Sequence, residues 1–331
     1  MAAQKINCGA GKVVAVVVTH RRLDQLQTTL ARLLAEPQTL LAGIVVVDNA
    51  SGDGTADWLQ SLHDPRLRVL PQQKNLGGAG GFELGLRQAI TDHDPDWFLL
   101  MDDDARPFPG ALTAFHAANP DRWSAVAAAV YSPDGQICEM NRPSFNPFSR
   151  ADVFWRTARN GRDGFHLPHA AYEGNEVQVD VASFVGLFLS RPTLQRVGLP
   201  QGRLFLYADD GLYTLGLTNA GGHIGFLPQI RFEHDCTTRS DGGTGRFSPL
   251  WKVYYYHRNL LLLYRMASGV WFFLVLAIVL PKWIAKIRHH KGDRGVFLCL
   301  LMRAIFDGLL GRLSQDHARL LASVDRWLAR D

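Results

Sequence analysis

The 331-residue chain has little cysteine, and what it has is scattered: Cys8, Cys138, Cys236 and Cys299. They lie far apart in sequence, so there is no C-x-x-C metal or redox pair and no basis for a disulfide framework, which fits a reducing compartment. Runs of basic residues of the kind that bind nucleic acid are also missing. Lys plus Arg exceed Asp plus Glu by only 35 to 31, a mild excess that suits an anionic ligand or lipid headgroups. Met1 to Lys12 has no apolar core of signal-peptide length, so a cytoplasmic location is expected. There is no internal repeat and no low-complexity tract. The longest apolar run near the C-terminus, Val270 to Leu280 (VWFFLVLAIVL), is about half of the ~20 residues a spanning helix needs, and is expected not to span alone.

What is present alternates. Lys12 to Thr19 is a β-branched run ending at His20, Arg21 and Arg22, and Leu23, Leu26, Leu30, Leu33 and Leu34 then recur at helical spacing until Pro37. Ile44 to Val47 is a second strand closed by Asp48 and Asn49, with a helix over Ala56 to Leu62. Leu67 to Leu70 is a third strand, followed by NLGGAGGF and another helix, and Trp97 to Met101 is a fourth that runs into Asp102, Asp103 and Asp104. This order predicts an α/β fold with a mainly parallel, Rossmann-like sheet flanked by helices and ligands beyond the strands' carboxyl ends. Residues 133–176 read as a long loop or lid, Val177 to Val185 as a strand, Thr193 onward as a short helix, and Gly222 to Leu227 and Arg231 to His234 as further strand. Asp241 to Gly245 reads as a glycine-rich mobile loop. One unit is expected over residues 1–250, with a nucleotide-binding half near 12–104 and an acceptor-binding half near 125–250. A helical region follows over 251–331.

Three acids directly after an apolar strand repel one another unless a cation or a donor network neutralises them. Alternate residues of an extended end face one side, so Asp102 and Asp104 can share a divalent ion, and hard oxygen ligands suit Mn or Mg. A solvated acidic turn is the bland alternative. Asp48 can accept a uracil imide N–H, with Thr19 and Arg21 at the neighbouring strand end; a simple Asp48-Asn49 turn is an equal rival. In NLGGAGGF, Gly77, Gly78, Gly80 and Gly81 let backbone approach a ligand and present N–H groups at a helix start. They follow the third strand rather than the first, which disfavours a dinucleotide-binding dehydrogenase. Asp209 and Asp210 are paired carboxylates at a loop-to-helix junction, where one can deprotonate a hydroxyl or both merely cap the helix. His234, in RFEHD, can complete a metal shell.

Together VVVTHRR, VVVDNAS, NLGGAGGF, LLMDDDARP, FLYADDG and FEHD resemble the family 2 glycosyltransferases of GT-A fold, and among them the bacterial UDP-galactofuranosyltransferases, over roughly Lys12 to Leu263. The resemblance implies an inverting, metal-dependent transferase using a UDP-sugar donor and a glycan or lipid-linked glycan acceptor. It implies Asp102, Asp104 and His234 as metal ligands, Asp103 beside the donor ribose and phosphates, and Asp210 as base with Asp209 at its side. Thr19, Arg21 and Asp48, with Asn49, would surround the uridine, and Asn75 and its glycines would run along the donor. Where polymerising members carry paired tryptophans, this chain has Ser183 and Phe184.

Downstream, apolar residues with Trp271 and Trp283 sit beside Lys282, Lys286, Arg288, His289, His290 and Lys291, which suits a helix in the headgroup layer of the inner face of the plasma membrane. A hydrophobic core or a homo-oligomer contact is the alternative. Rival functions are a rhamnosyl- or other hexosyltransferase, a sugar nucleotidyltransferase, and a silent membrane scaffold or glycan-binding module.

Overall fold

A computed structural model of the chain describes residues 11–236 and 245–328. Cys8 and the other leading residues up to Ala10, and most of the glycine-rich loop read at Asp241 to Gly245, lie outside the described residues. Four parallel strands form the first half: β1 (Val13–Thr19), β2 (Gly43–Asp48), β3 (Leu67–Pro71) and β4 (Trp97–Asp102), in the order β3-β2-β1-β4. β1 and β2 are buried at every position, because helices cover both faces of the sheet. The crossovers are α1 (Leu23–Ala35), α2 (Thr55–Ser61) and α3 (Gly77–His93). α1 turns Leu26, Leu30 and Leu33 inward at helical spacing and stops before Pro37, whose ring disfavours helical backbone in the preceding residue.

The sheet then changes character. β5 (Ala105–Pro107), β6 (Ala125–Tyr131), β7 (Val177–Val179), β8 (Leu187–Ser190) and β9 (Ile224–His234) extend it as β4-β8-β6-β9-β5, with β7 on β9. β8 runs antiparallel to β4 and β6, and β5 and β7 run antiparallel to β9, giving a mixed nine-stranded sheet. α4 (Ala111–Ala117), α5 (Ala151–Asn160), α6 (Arg162–Phe165), α7 (Arg191–Val197) and α8 (Asp209–Asn219) complete this half.

Three local readings change. Residues 133–176 are not a bare loop: they hold α5 and α6, and α5 leaves its aromatic Phe154 and Trp155 exposed. The strand read over Val177 to Val185 ends at Val179, and the next begins only after Gly186. That glycine has φ +69°, and a Cβ there would stand 3.0 Å from Ala128 and Phe232. The two segments read at 222–227 and 231–234 are one strand, irregular where β6 pairing jumps from Leu227 to Arg231; Pro228 has no N–H to give a ladder there.

α9 (Lys252–Ser268), α10 (Phe272–Ala285), α11 (Arg294–Leu309) and α12 (His317–Leu328) surround a hydrophobic core of their own, built on Tyr254, Tyr255, Leu261, Phe297 and Leu301. α9 packs on α8 and on the loop before it, so the region after residue 250 begins inside the main body. Helix over Lys252–His289, 38 residues, is long and apolar enough to cross a membrane by length and composition, more than the run Val270 to Leu280 implied. It bends at Gly269 (φ +52°), and its first part is buried. α10 alone, 14 residues, is about 21 Å long, short of the ~30 Å hydrocarbon core.

Candidate active site

The parallel register sets the scaffold. Thr19 ends β1 opposite Asp48 of β2 and, one residue earlier, Val18 stands opposite Asp102 of β4, so three strand ends share one edge. From Asp102 the chain turns through Asp103 and Asp104 into β5, where Ala105 pairs with His234 of β9. That pairing brings a histidine 130 residues away to the acids: His234 Nε2 is 3.1 Å from Asp104 Oδ1. One ligand atom from each of Asp102, Asp104 and His234 lies within 4.8 Å of the others. The grouping expected for a metal is therefore present in space.

The acids are not equivalent. Asp103 is buried, and its carboxylate accepts from Thr19 Oγ1 at 2.7 Å and from Arg22 Nη1 at 3.3 Å. Arg22 also donates to Asp104 at 2.5 Å, and Thr29 Oγ1 secures the turn by donating to the Asp103 carbonyl at 2.6 Å. Asp102 takes no hydrogen bond from the described residues; burial and the neighbouring Asp104 raise its pKa to about 6. Burial raises Asp103 to about 7, the Arg22 charge offsetting only part of the cost. For Asp104 burial is outweighed by the His234 hydrogen bond and charge, and its pKa is lowered. Burial opposes a charge on His234, yet Asp104, Cys138 and Asp102 hold its pKa up at about 10. Three carboxylates thus face one guanidinium and one imidazole, with the partly exposed Asp102 bonded to neither. That donor set fits a hard divalent cation that replaces the imidazole proton.

Asp209 and Asp210 open α8, close enough to the cluster that each Asp pair feels the other's charge. Burial, then Asp210, pushes the Asp209 pKa well up, and burial raises Asp210, whose Oδ1 accepts from Gly211 N at 2.6 Å. The loop leading to them is held in an uncommon shape: Phe205, Tyr207 and Ala208 all have positive φ, at 69°, 71° and 56°. Left-handed backbone at non-glycine residues persists only where the surroundings enforce it. α9 does so. Asn259 Nδ2 lies 3.0, 2.9 and 2.9 Å from the carbonyls of Leu204, Leu206 and Tyr207, and Arg258 Nη2 donates to the Leu204 carbonyl at 2.9 Å.

The residues read as lining the nucleotide sit together, several with internal duties. Asp48 Oδ1 accepts from Ser51 N at 3.0 Å and Ser51 Oγ at 2.6 Å, so the turn expected as a rival reading is real. Asn49 is buried and donates to the Gly77 carbonyl at 3.0 Å, tying β2 to the glycine segment. Asn75 Oδ1 accepts from Gly77 N at 2.7 Å, shaping the entry to α3. Gly77 has φ +73°, and a Cβ there would collide with the Phe205 carbonyl; one on Gly81 would collide with Val18. Those two glycines therefore serve close packing of α3, while Gly78 borders open space and Gly80 packs on Leu76. Arg21 is exposed and bonds to Ser51, whereas Arg22, one residue on, turns to the acids.

Arg22, Asn141 and Asn259 are the residues that sequence reasoning passed over. THRR does not reveal which arginine faces inward, and Asn141 and Asn259 carry no pattern at all. Asn141 Oδ1 is 2.7 Å from His234 Nδ1, and its Nδ2 donates to Ser183 Oγ at 3.0 Å. Phe184, which follows Ser183, packs edge-on against Phe82. Although far apart in sequence, Cys138 and Cys236, separated by 98 residues in the chain, meet with their sulfurs 3.8 Å apart beside His234. Sequence spacing hides such a pair because the sheet, not the local chain, joins them.

In the C-terminal region, Trp283 and His290 are buried, Trp283 stacked on Tyr264 and His290 on Phe297, so neither belongs to a headgroup-facing surface as expected. The exposed apolar face of α10 and the turn before it comprises Val270, Trp271, Phe273, Leu274, Ile278 and Ile284, with Val270 90% and Phe273 72% exposed.

The glycosyl transferase family 2 profile matches residues 14–173. Galactofuranosyltransferase GlfT1 of Mycobacterium tuberculosis is 32% identical over 241 residues, 72% of this chain and 73% of its own. Among solved structures, the mannosyltransferase PcManGT from Pyrobaculum calidifontis, in complex with GDP-Man and Mn2+, superposes with a TM-score of 0.55 at 15% identity over 90% of this chain and 87% of its own. GalNAc-T7 with UDP, GalNAc and Mn2+ gives 0.54 at 14% identity, over 78% of this chain and 48% of its own. These structures share the GT-A type fold, and with a strand edge built from the expected acids and a relative matched over most of both chains, this chain belongs to the family 2 glycosyltransferases.

Proposed function

We propose that the enzyme is an inverting transferase that moves galactofuranose from UDP-galactofuranose onto a hydroxyl of a glycan or lipid-linked glycan acceptor at the cytoplasmic face of the plasma membrane. The observation that carries this reading is the convergence of Asp102, Asp104 and His234 at the strand edge, with Asp209 and Asp210 alongside. The relative named galactofuranosyltransferase supports the donor, and the manganese held by both similar structures, with GDP-Man in one and UDP and GalNAc in the other, supports the cation and substrate class.

In this reading Asp102, Asp104 and His234 hold Mn or Mg, which when bound supplies Lewis-acid stabilisation of charge on a departing diphosphate. Thr19, Arg21, Asp48 and Asn49 enclose the uridine, and Asn75 with Gly77, Gly78, Gly80 and Gly81 borders the donor. Asp103, fixed by Thr19 and Arg22, meets the ribose and phosphates. Asp209 remains protonated because burial and its neighbour disfavour a second charge, leaving Asp210 as the base. Asp210 takes the acceptor's hydroxyl proton as that oxygen attacks the anomeric carbon. The bond to the diphosphate breaks on the opposite face, UDP leaves, and configuration inverts.

The exposed face of α10, with Lys282 and Arg288 beside it, suits docking in the headgroup layer of an anionic leaflet, close to a lipid-linked acceptor. A thermal-shift screen of UDP-galactofuranose, UDP-galactopyranose, UDP-glucose and dTDP-rhamnose, each with and without Mn, tests the donor. The largest rise is expected for UDP-galactofuranose with Mn. A larger rise with another donor reassigns the sugar, and no Mn-dependent rise with any of them sinks the reading.

A further inference from the structure

We propose that Cys138, Cys236 and Nδ1 of His234 form a second metal site, for a thiophilic divalent cation such as zinc, which shares its imidazole with the Asp102–Asp104 site and competes with it.

The three ligand atoms already have the spacing of a tetrahedral face. Cys138 Sγ and Cys236 Sγ are 3.8 Å apart, and His234 Nδ1 is 3.3 Å from Cys236 Sγ and 4.0 Å from Cys138 Sγ. With Zn–S near 2.3 Å and Zn–N near 2.0–2.1 Å, tetrahedral angles require roughly 3.8 Å between sulfurs and roughly 3.6 Å between sulfur and nitrogen. Side-chain adjustments of a few tenths of an ångström bring all three to bonding distance. Asn141 Oδ1, 2.7 Å from Nδ1 and 3.0 Å from Cys138 Sγ, lies beside the three, and withdrawn by about half an ångström it can supply a fourth, oxygen ligand. The positions are firmly set, because His234 ends β9 and Cys236 lies two residues beyond, while Cys138 is buried and backbone-bonded to Val130 of β6. Cys236 is only partly buried and gives the ion a way in.

The two sites differ in chemistry. Thiolates and imidazole select zinc over manganese or magnesium, whereas the carboxylates of Asp102 and Asp104 do the reverse. They meet at one ring. With its proton on Nδ1, donated to Asn141, the imidazole turns the Nε2 lone pair toward the acids; with Nδ1 on zinc the proton moves to Nε2 and is donated to Asp104. Neutral imidazole has one lone pair, so zinc binding at the thiols, which release their protons to solvent, withdraws His234 from the other cation. This coupling rests on the cation role proposed for His234; the thiol site itself does not.

The test uses the reduced full-length protein and cobalt(II) as the probe. One equivalent is expected to give a near-ultraviolet thiolate-to-cobalt band with the visible absorption of a tetrahedral ion. Zinc abolishes both; the bands persist in Cys299→Ser and are lost in Cys138→Ser and Cys236→Ser. In the wild type, where folding is not in question, one equivalent of zinc is expected to slow iodoacetamide labelling of Cys236 at least tenfold, with Cys299 unchanged, read by peptide mass spectrometry. Zinc should also weaken manganese binding, followed by the spin-resonance signal of free Mn, at least tenfold in the wild type and not in Cys236→Ser. Absence of the thiolate band, or unprotected Cys236, overturns the site. Simultaneous binding of zinc and manganese without mutual effect overturns the competition. A cobalt band in a protein that binds no manganese at all supports the thiol site and instead overturns the function proposed above.

Discussion

The side-chain amide of Asn259 donates to the carbonyl of Tyr207 across 2.9 Å, joining the first C-terminal helix to the loop that presents Asp209 and Asp210. The same nitrogen faces the Leu204 and Leu206 carbonyls, and Asn259 is fully buried. Asn259→Leu removes the donor and strands these carbonyls, which is expected to cost about 2–4 kcal/mol. Thermal melts should show the loss, and at a temperature where the variant is folded kcat should fall further than the donor KM rises. Unchanged kcat would show that the loop does not depend on α9.

Asp210→Asn keeps the shape and hydrogen-bond reach of the side chain while abolishing its basicity. Transfer, measured as acceptor-dependent UDP release, is expected to drop by roughly 10²–10⁴-fold with donor affinity nearly intact. Equal loss of both would move Asp210 to the donor pocket. Asp209→Asn, which imitates the protonated form, should be far milder.

Removing one cation ligand should act differently. Asp104→Asn and His234→Ala are expected to weaken Mn binding at least tenfold by calorimetry, and the nucleotide-sugar thermal shift should lose its Mn dependence. Asp104 and His234 also hold each other, so wild-type protein stripped with a chelator gives the comparison free of folding effects. Donor binding indifferent to both treatments would contradict the assignment.

The pH dependence has a definite sign. Burial raises Asp103 to about 7 from an unfolded value near 4, so the fold favours its neutral form. Its contribution to stability is complete below pH 4 and is lost as pH rises through 7. Cation-free wild type should therefore match Asp103→Asn near pH 4 and become the less stable of the two by pH 8, measured as the difference in Tm. A difference that does not vary with pH would refute the shift.

Membrane docking is expected to fail when Phe273, Leu274 and Ile278 are changed together to Ser, since all three are exposed and their loss leaves the core untouched. Flotation with anionic liposomes should separate wild type from variant while donor binding stays equal. Co-flotation of both would leave this face without a membrane role.

The primary sequence was sufficient for the alternation of buried strands and amphipathic helices, because burial on both faces leaves continuous Val and Leu runs and burial on one leaves helical periodicity. It also sufficed for the acids at the strand ends, since a parallel strand's exit is where a carboxylate can stand beside a core and still meet a ligand. It did not reveal α5, whose aromatic residues point outward, or the merging of two segments into β9 around Pro228. Tertiary structure alone decided that Arg22 rather than Arg21 turns to the acids, that Asn141 caps His234, that Asn259 shapes the Asp209 loop, and that Cys138 meets Cys236. Each of these depends on register between strands or on helix packing across tens of residues, and such contacts leave no periodic trace in the chain that makes them.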